Sequence, residues 1–157
     1  MSFSVSIIIP AYNSGATIEQ TLAGIERQTA QDAILEVLIV DSSDREESLA
    51  VVKRVEKGKV RVICAGTRVM PALGRNRGAK EAKGDLLLFI DSDAYPAPDW
   101  VEKILAACAE GSQVGGGSVE LPPFQNDKPI ADAQLLLSFN EFLPVGKKRQ
   151  VMFVPSC

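Results

Sequence analysis

The strongest constraint on this chain is a rhythm of short apolar runs, each cut off sharply and followed by a segment with helical spacing. Val5 to Ile9 ends at Pro10, Val37 to Val40 ends at Asp41, Val60 to Cys64 runs into Ala65-Gly66, and Leu86 to Ile90 ends at Asp91. Val5 to Ile9, apolar but for Ser6, and Val37 to Val40 predict strands buried on both faces, as in a parallel sheet covered by helices; Val60 to Cys64 reads as a third strand and Leu86 to Ile90 as a fourth, the most apolar. After the turn signal Asn13-Ser14-Gly15, Ile18, Leu22 and Ile25 share one helical face, and Thr17 with Gln20 has capping-box spacing. Ser43 and Glu46 repeat that spacing ahead of Leu49, Val51, Val52 and Val55. Pro71 suits the start of a third helix, with Ala72, Leu73, Ala79 and Ala82 as a small-residue face toward the sheet and Gly84 as its end. Beyond Pro96 and Pro98, Val101, Ile104, Leu105 and Cys108 predict a fourth helix. Four alternations of strand and helix predict an α/β fold with a mainly parallel sheet flanked by helices.

The pattern loosens after this. Val114 to Val119 reads as a glycine-rich strand, Pro122-Pro123 as a break, Ile130 to Leu143 as a helix and Val151 to Val154 as a short strand. With 157 residues, no internal repeat and no low-complexity linker, the chain is expected to form one domain, with a first half over 1–93 and a second over 94–157.

Composition narrows the chemistry. The net charge of −3 and the scattered Lys and Arg exclude a general polyanion binder, so no nucleic-acid partner is expected. The absence of histidine removes the commonest general base and the histidine-rich metal sites. Cys64, Cys108 and Cys157 are odd in number and form no Cys-x-x-Cys pair, which reads as free or buried thiols in a reducing compartment. The N-terminus lacks the pattern of a signal peptide, and Leu86 to Ile90 is far too short to span a membrane, so a soluble piece is expected.

Ligands of open parallel sheets bind at the carboxyl ends of the strands. That rule selects Pro10-Ala11-Tyr12-Asn13 after the first strand, Asp41 after the second, and Asp91-Ser92-Asp93 after the fourth. Three carboxylates at one edge need a neutralising partner. Arg75 and Arg77 offer one, and a hard divalent cation, Mg²⁺ or Mn²⁺, offers another, because carboxylates without His or Cys favour such ions. An ion of this kind held by few protein ligands completes its shell from substrate phosphates and water. Taken singly, each residue has a plainer reading: Asp41 as a helix cap, Arg75 and Arg77 as solvated charges, Tyr12 as a rim aromatic, Gly115-Gly116-Gly117 as a bulged strand.

The motifs in combination resemble a known family. Val5 to Asn13 is similar to the opening strand of family 2 glycosyltransferases, and Glu36 to Asp44 to their second strand with its base-reading Asp. Gly74-Arg75-Asn76-Arg77-Gly78, then Gly84-Asp85 and Phe89-Ile90-Asp91-Ser92-Asp93, resemble their Arg-Asn-x-Gly helix and Asp-x-Asp loop, in the family's order over about the first two-thirds of the chain. The resemblance implies a GT-A fold, 1–93 as the nucleotide-binding half and 94–157 as the start of the acceptor side. It implies a nucleotide-sugar donor, with UDP favoured, and inverting transfer to a saccharide or lipid-linked acceptor. By position, the backbone of Pro10, Ala11 and Tyr12, with Asn13 and Asp41, would contact the nucleotide. Arg75 would face its phosphates or base, Asp91 and Ser92 would lie near the ribose, and Asp93 would hold Mn²⁺ or Mg²⁺. It also implies a cytoplasmic setting, at the membrane face in the full-length enzyme, and a part in assembling cell-envelope polysaccharide.

The family's general base lies in a later acidic motif, and the chain stops at Cys157. Glu120 is the acid in a plausible place, better suited to a sugar or structural contact than to the base, so the chain reads as an N-terminal portion without that base. Three other readings stay open. A dinucleotide oxidoreductase would need a G-x-G-x-x-G turn where only Gly15 occurs, and a sugar nucleotidyltransferase a basic, glycine-rich loop where Ala11 to Gly15 has no Lys or Arg. A non-catalytic nucleotide-binding module would keep the donor site alone.

Overall fold

The computed structural model describes residues 3–118 and Glu120. The elements are β1 Val5–Ala11, α1 Ile18–Glu26, a 3-10 turn Gln31–Ala33, β2 Ile34–Asp41, α2 Glu46–Val55, β3 Val60–Cys64, α3 Pro71–Glu81, β4 Leu86–Phe89 and α4 Trp100–Ala109. The four strands form one sheet in the order β3-β2-β1-β4, with every neighbouring pair parallel. Compact packing divides the chain into two units, the first ending at Ala106 and the second beginning at Ala107. The sheet, α1 to α3 and α4 as far as Ala106 belong to the first. In the second, the chain turns at Gly111, whose positive φ of 95° follows the end of α4.

β1 is central, so its side chains are buried above and below. Val5, Ile7, Ile9 and Ala11 join Val37, Ile39, Leu88 and residues of α1, α2 and α4 in one core; Ile8 joins Leu38, Val40 and Ile63 against the α3 side. This two-sided burial is why the run is apolar apart from Ser6, whose hydroxyl is bonded within the fold. Pro10 is tolerated in a central strand for a specific reason. The Ile8 carbonyl accepts from Ile90 N, so even-numbered backbone groups of β1 face β4, and the missing N–H of Pro10 falls beyond the last paired residue of β4, Phe89. The strand order reverses at β1, which opens the crevice between β1 and β4 at their carboxyl ends.

α3 approaches the sheet through glycine. A Cβ on Gly78 would lie 2.5 Å from Ile8 Cγ2 and 3.1 Å from Val40 Cγ2, and one on Gly74 would lie 3.2 Å from Pro10 Cβ. The small-residue face is therefore Gly74 and Gly78 with Ala79 and Ala82, whereas Ala72 and Leu73, expected on it, are exposed. Beneath the same helix, Glu36 ties three strands to the α3–β4 connection. Its Oε1 accepts from Ser6 Oγ at 2.9 Å and Lys83 N at 2.7 Å, its Oε2 meets Arg61 at 3.4 Å, and Gly84 N donates to Ser6 Oγ at 2.9 Å. Burial alone would raise the Glu36 pKa. The Lys83 N–H, the Ser6 hydroxyl and Arg61 outweigh it and hold the carboxyl below the usual range.

Several local expectations are corrected. Neither capping box forms. Thr17 precedes α1 but makes no side-chain cap, its hydroxyl turning back to the Ser14 carbonyl at 3.4 Å; Arg45 precedes α2, and Ser43 bonds elsewhere. Residues 114–118 are not a strand, and Val114 is 84% exposed, with no partner strand to bury it among the described residues. The helix expected over 130–143 and the strand over 151–154 lie outside the described residues. Cys64 is exposed, Cys108 half-buried, and both are free thiols. No helix among the described residues is long and apolar enough to cross a membrane.

Gly78→Ala should destabilise the protein by about 1–3 kcal/mol, because β-branched Ile8 and Val40 cannot yield without moving α3. An unchanged urea midpoint would show that the helix lifts without cost. Because the folded pKa of Glu36 is lowered, its contribution is present above the unfolded glutamate value, about 4.3, and is lost as pH falls through the folded value. Glu36→Gln should weaken stability at pH 7 by about 1–3 kcal/mol and flatten the acid side of the stability profile. Equal acid slopes in both proteins would contradict this.

Candidate functional site

Three loops meet at the carboxyl edge of the sheet, and short polar side chains lock them together. Asn13 takes a positive φ of 53°, tolerable for Asn in a turn. Its Oδ1 accepts from Asp44 N at 3.3 Å and Arg45 N at 3.2 Å, its Nδ2 donates to Asp44 Oδ1 at 2.8 Å, and its own N donates to Ser43 Oγ at 2.8 Å. The Tyr12 hydroxyl donates to the other carboxylate oxygen of Asp44 at 2.8 Å. That bond, lost on deprotonation, is the main reason the Tyr12 pKa is raised, and the bonds from Asn13 and then Tyr12 lower that of Asp44.

Asp41 ends β2 beside Ala11 in the ladder and is 3% exposed. Its Oδ1 accepts from Ser43 Oγ at 2.6 Å and Ser43 N at 3.2 Å, so the carboxylate closes the turn after β2 and does not cap α2. Beside it, Pro10, Tyr12, Ser42, Arg68, Met70 and Pro71 line a groove of about 190 Å³ with mostly apolar walls.

The loop after β4 hangs from α1. Ser14 Oγ lies 2.6 Å from Ser92 Oγ, and the buried Thr21 donates from Oγ1 to the Ser92 carbonyl at 3.0 Å. Flanking this grip, Asp91 pairs with Arg75 of α3, and Asp93 is exposed. Burial raises the Asp91 pKa; Arg75 draws it down, Asp93 pushes it up, and the net direction is upward. Arg77 is exposed and forms no ion pair among the described residues, so of the two candidate cations Arg75 is the one brought to the acids. Glu120, in the second unit, is exposed and on no regular element.

No group of three or more Asp, Glu, His or Cys that could hold a metal occurs among the described residues. An exposed Asp93 beside an Arg-paired Asp91 nevertheless suits a hard divalent ion that draws most of its ligands from a diphosphate and water. The strand-end positions Asp41, Asp91 and Asp93 were legible in the sequence. Asp44, Ser14, Thr21 and Arg68 were not singled out, because their partnerships join residues that periodicity does not relate.

Comparison with known proteins gives this edge its context. The sequence model of glycosyl transferase family 2 matches residues 6–148. An uncharacterized glycosyltransferase of Haemophilus influenzae is 36% identical over 110 residues, 70% of this chain and 36% of that protein. Among solved structures, the mannosyltransferase PcManGT from Pyrobaculum calidifontis, in complex with GDP-Man and Mn²⁺, is similar with a TM-score of 0.62 and 25% identity, over 80% of this chain and 38% of that one. Staphylococcus aureus TarS 1-349 in complex with UDP is similar with a TM-score of 0.60 and 27% identity, over 76% and 38%. The chain thus spans well under half the length of these relatives. With the family match running through nearly all of its 157 residues and its parallel sheet shared with GT-A glycosyltransferases, the chain belongs to glycosyl transferase family 2.

Proposed function

We propose that this chain holds a nucleoside-diphospho-sugar, with UDP the favoured carrier, and that the protein it represents transfers the sugar to a saccharide or lipid-linked acceptor hydroxyl with inversion. One observation carries the reading: a mostly apolar groove beside Asp41 and an exposed Asp93 beside the Arg75–Asp91 pair lie on one sheet edge. A nucleotide-sugar has the same division into a planar base and an anionic diphosphate. That two solved relatives carry GDP-Man with Mn²⁺ and UDP supports it.

In this reading the base enters the groove over Pro10, Ala11 and Tyr12, and Asp41 reads its edge with the oxygen that Ser43 leaves available. Asn13 sets the frame of both loops through Asp44. Ser92, gripped by Ser14 and Thr21, sets Asp91 toward the ribose and Asp93 toward the diphosphate. Arg75 lowers the repulsion that two neighbouring acids would otherwise present to an anionic donor. Mn²⁺ or Mg²⁺, held by Asp93, would supply charge stabilisation on the departing diphosphate oxygen. Glu120 is assigned to a sugar or structural contact, and the general base to residues other than those described. The nucleotidyltransferase reading is disfavoured by the β1–α1 turn, where Asn13 and Ser14 are engaged with neighbouring loops and no basic side chain is present.

The roles of the acids should separate in calorimetry. Asp93→Asn should abolish most of the Mn²⁺-dependent gain in UDP affinity, about ten- to hundredfold for one lost charged contact, and leave uridine binding unchanged. Asp41→Asn should weaken uridine and UDP together and leave Mn²⁺–pyrophosphate unchanged. An Asp41→Asn protein that loses uridine and pyrophosphate equally would make Asp41 a structural residue.

A further inference from the structure

The segment that carries Asp93 is held to α1 on both sides of that residue. Upstream, Ser14 and Thr21 grip Ser92. Downstream, the hold is a single side-chain amide. Gln28 lies two residues past the end of α1 and is 3% exposed. Its Nε2 donates to the Gly24 carbonyl at 3.2 Å and to the Ala97 carbonyl at 2.7 Å, and its Oε1 accepts from Val101 N at 3.0 Å. Two carbonyls on one side and an N–H on the other admit one orientation of the amide. Gly24 belongs to the last turn of α1 and Val101 to the first turn of α4, so one side chain satisfies backbone groups that neither helix satisfies internally. The neighbouring contacts act in the same sense. Thr29 N donates to the Pro98 carbonyl at 2.8 Å, and buried Pro96 sits so close to α1 that a Cβ on Gly24 would lie 2.8 Å from its Cδ.

We propose that Gln28 is a positioning residue for Asp93: it touches no ligand, and it sets where the exposed carboxylate stands before a diphosphate and its cation arrive. Only Ala94, Tyr95 and Pro96 separate Asp93 from Ala97, and proline holds its own φ. A shift at Ala97 is therefore passed to Asp93, with little chain between to absorb it. The place of that carboxylate weighs heavily, because no group of three or more candidate ligands occurs among the described residues to hold a cation without it. Groups that orient a ligating side chain from behind govern metal affinity without contacting the ion. The inference rests on the nucleotide-sugar reading and adds to it the residue that keeps Asp93 in place.

The test combines calorimetry on the 157-residue chain, with uridine and with Mn²⁺–pyrophosphate as probes, and amide hydrogen exchange on the ligand-free protein. Gln28→Met keeps the length of the side chain and removes all three hydrogen bonds. It should weaken Mn²⁺–pyrophosphate about tenfold and leave uridine unchanged. Without ligand, exchange should quicken at Ala94, whose N donates to the Asp91 carbonyl, and not at Ile90, whose N donates to the Ile8 carbonyl inside the sheet. Gly24→Ala disturbs the same seating by pushing on Pro96 while sparing the hydrogen bonds of Gln28, and it should give the same division between the probes. If Gln28→Met does not fold, Gly24→Ala decides. Wild-type Mn²⁺–pyrophosphate affinity in the folded variant overturns the positioning role alone. So does an equal loss of uridine and pyrophosphate, or equal quickening at Ala94 and Ile90, since each reports general loosening. Wild-type protein that binds neither probe overturns the nucleotide-sugar reading and this role with it.

Discussion

The structure depends on one constraint: β1 is enclosed on all sides. Strands pair along both its edges and cores form on both its faces, so Ile7, Ile8 and Ile9 have no solvent-facing alternative and register is fixed in every direction. Because the sheet is wholly parallel, fixing β1 also fixes which ends of β2, β3 and β4 share its carboxyl edge. Everything chemically suggestive in the first unit follows from that edge. Pro10, whose missing N–H is harmless only where β4 has already ended, marks the point at which the sheet gives way to the site.

The loops beyond the edge are rigidified by small polar residues and little apolar burial. Asn13, Ser14, Thr21, Ser43, Asp44 and Ser92 each satisfy a backbone group or a neighbouring loop. Their bonds leave Asp93 exposed and in no ion pair among the described residues, while Asp91 is already paired with Arg75. The division suits a site that must accept an anionic ligand and a cation together. One acid is committed to the protein, and the other is left for what binds.

The strands and the acidic strand ends were legible because burial on both faces leaves a simple mark in sequence, an apolar run that stops at a polar residue. The face of α3 was not legible, because Gly74 and Gly78 make contact by having no side chain, and amphipathic reading counts only side chains, so it chose Ala72 and Leu73. The capping boxes were misread for a related reason. The Ser43 hydroxyl has the right spacing for a cap, but its oxygen accepts from Asn13 N, its proton goes to Asp41, and Arg45 is the residue that precedes α2. Residues 114–118 carry three glycines and find no strand among the described residues to pair with, and Val114 alone does not hold them in a strand. In the site, the acids could be placed from strand ends, whereas Tyr12–Asp44, Ser14–Ser92 and Tyr12–Arg68 join residues 32, 78 and 56 positions apart, a relation carried by the fold alone.

The central claim is that one sheet edge holds a base at one end and a cation-bound diphosphate at the other. It is tested most directly by paramagnetic broadening in amide NMR spectra, with Mn²⁺ titrated into the chain at saturating UDP. The account predicts that broadening, which falls steeply with distance from the ion, erases Ser92, Asp93 and Ala94 first. Asp41 to Asp44, beside the base groove, should shift with UDP yet survive at the lowest Mn²⁺ levels. Broadening that spares residues 92–94, or that begins at residues 41–44, would contradict it.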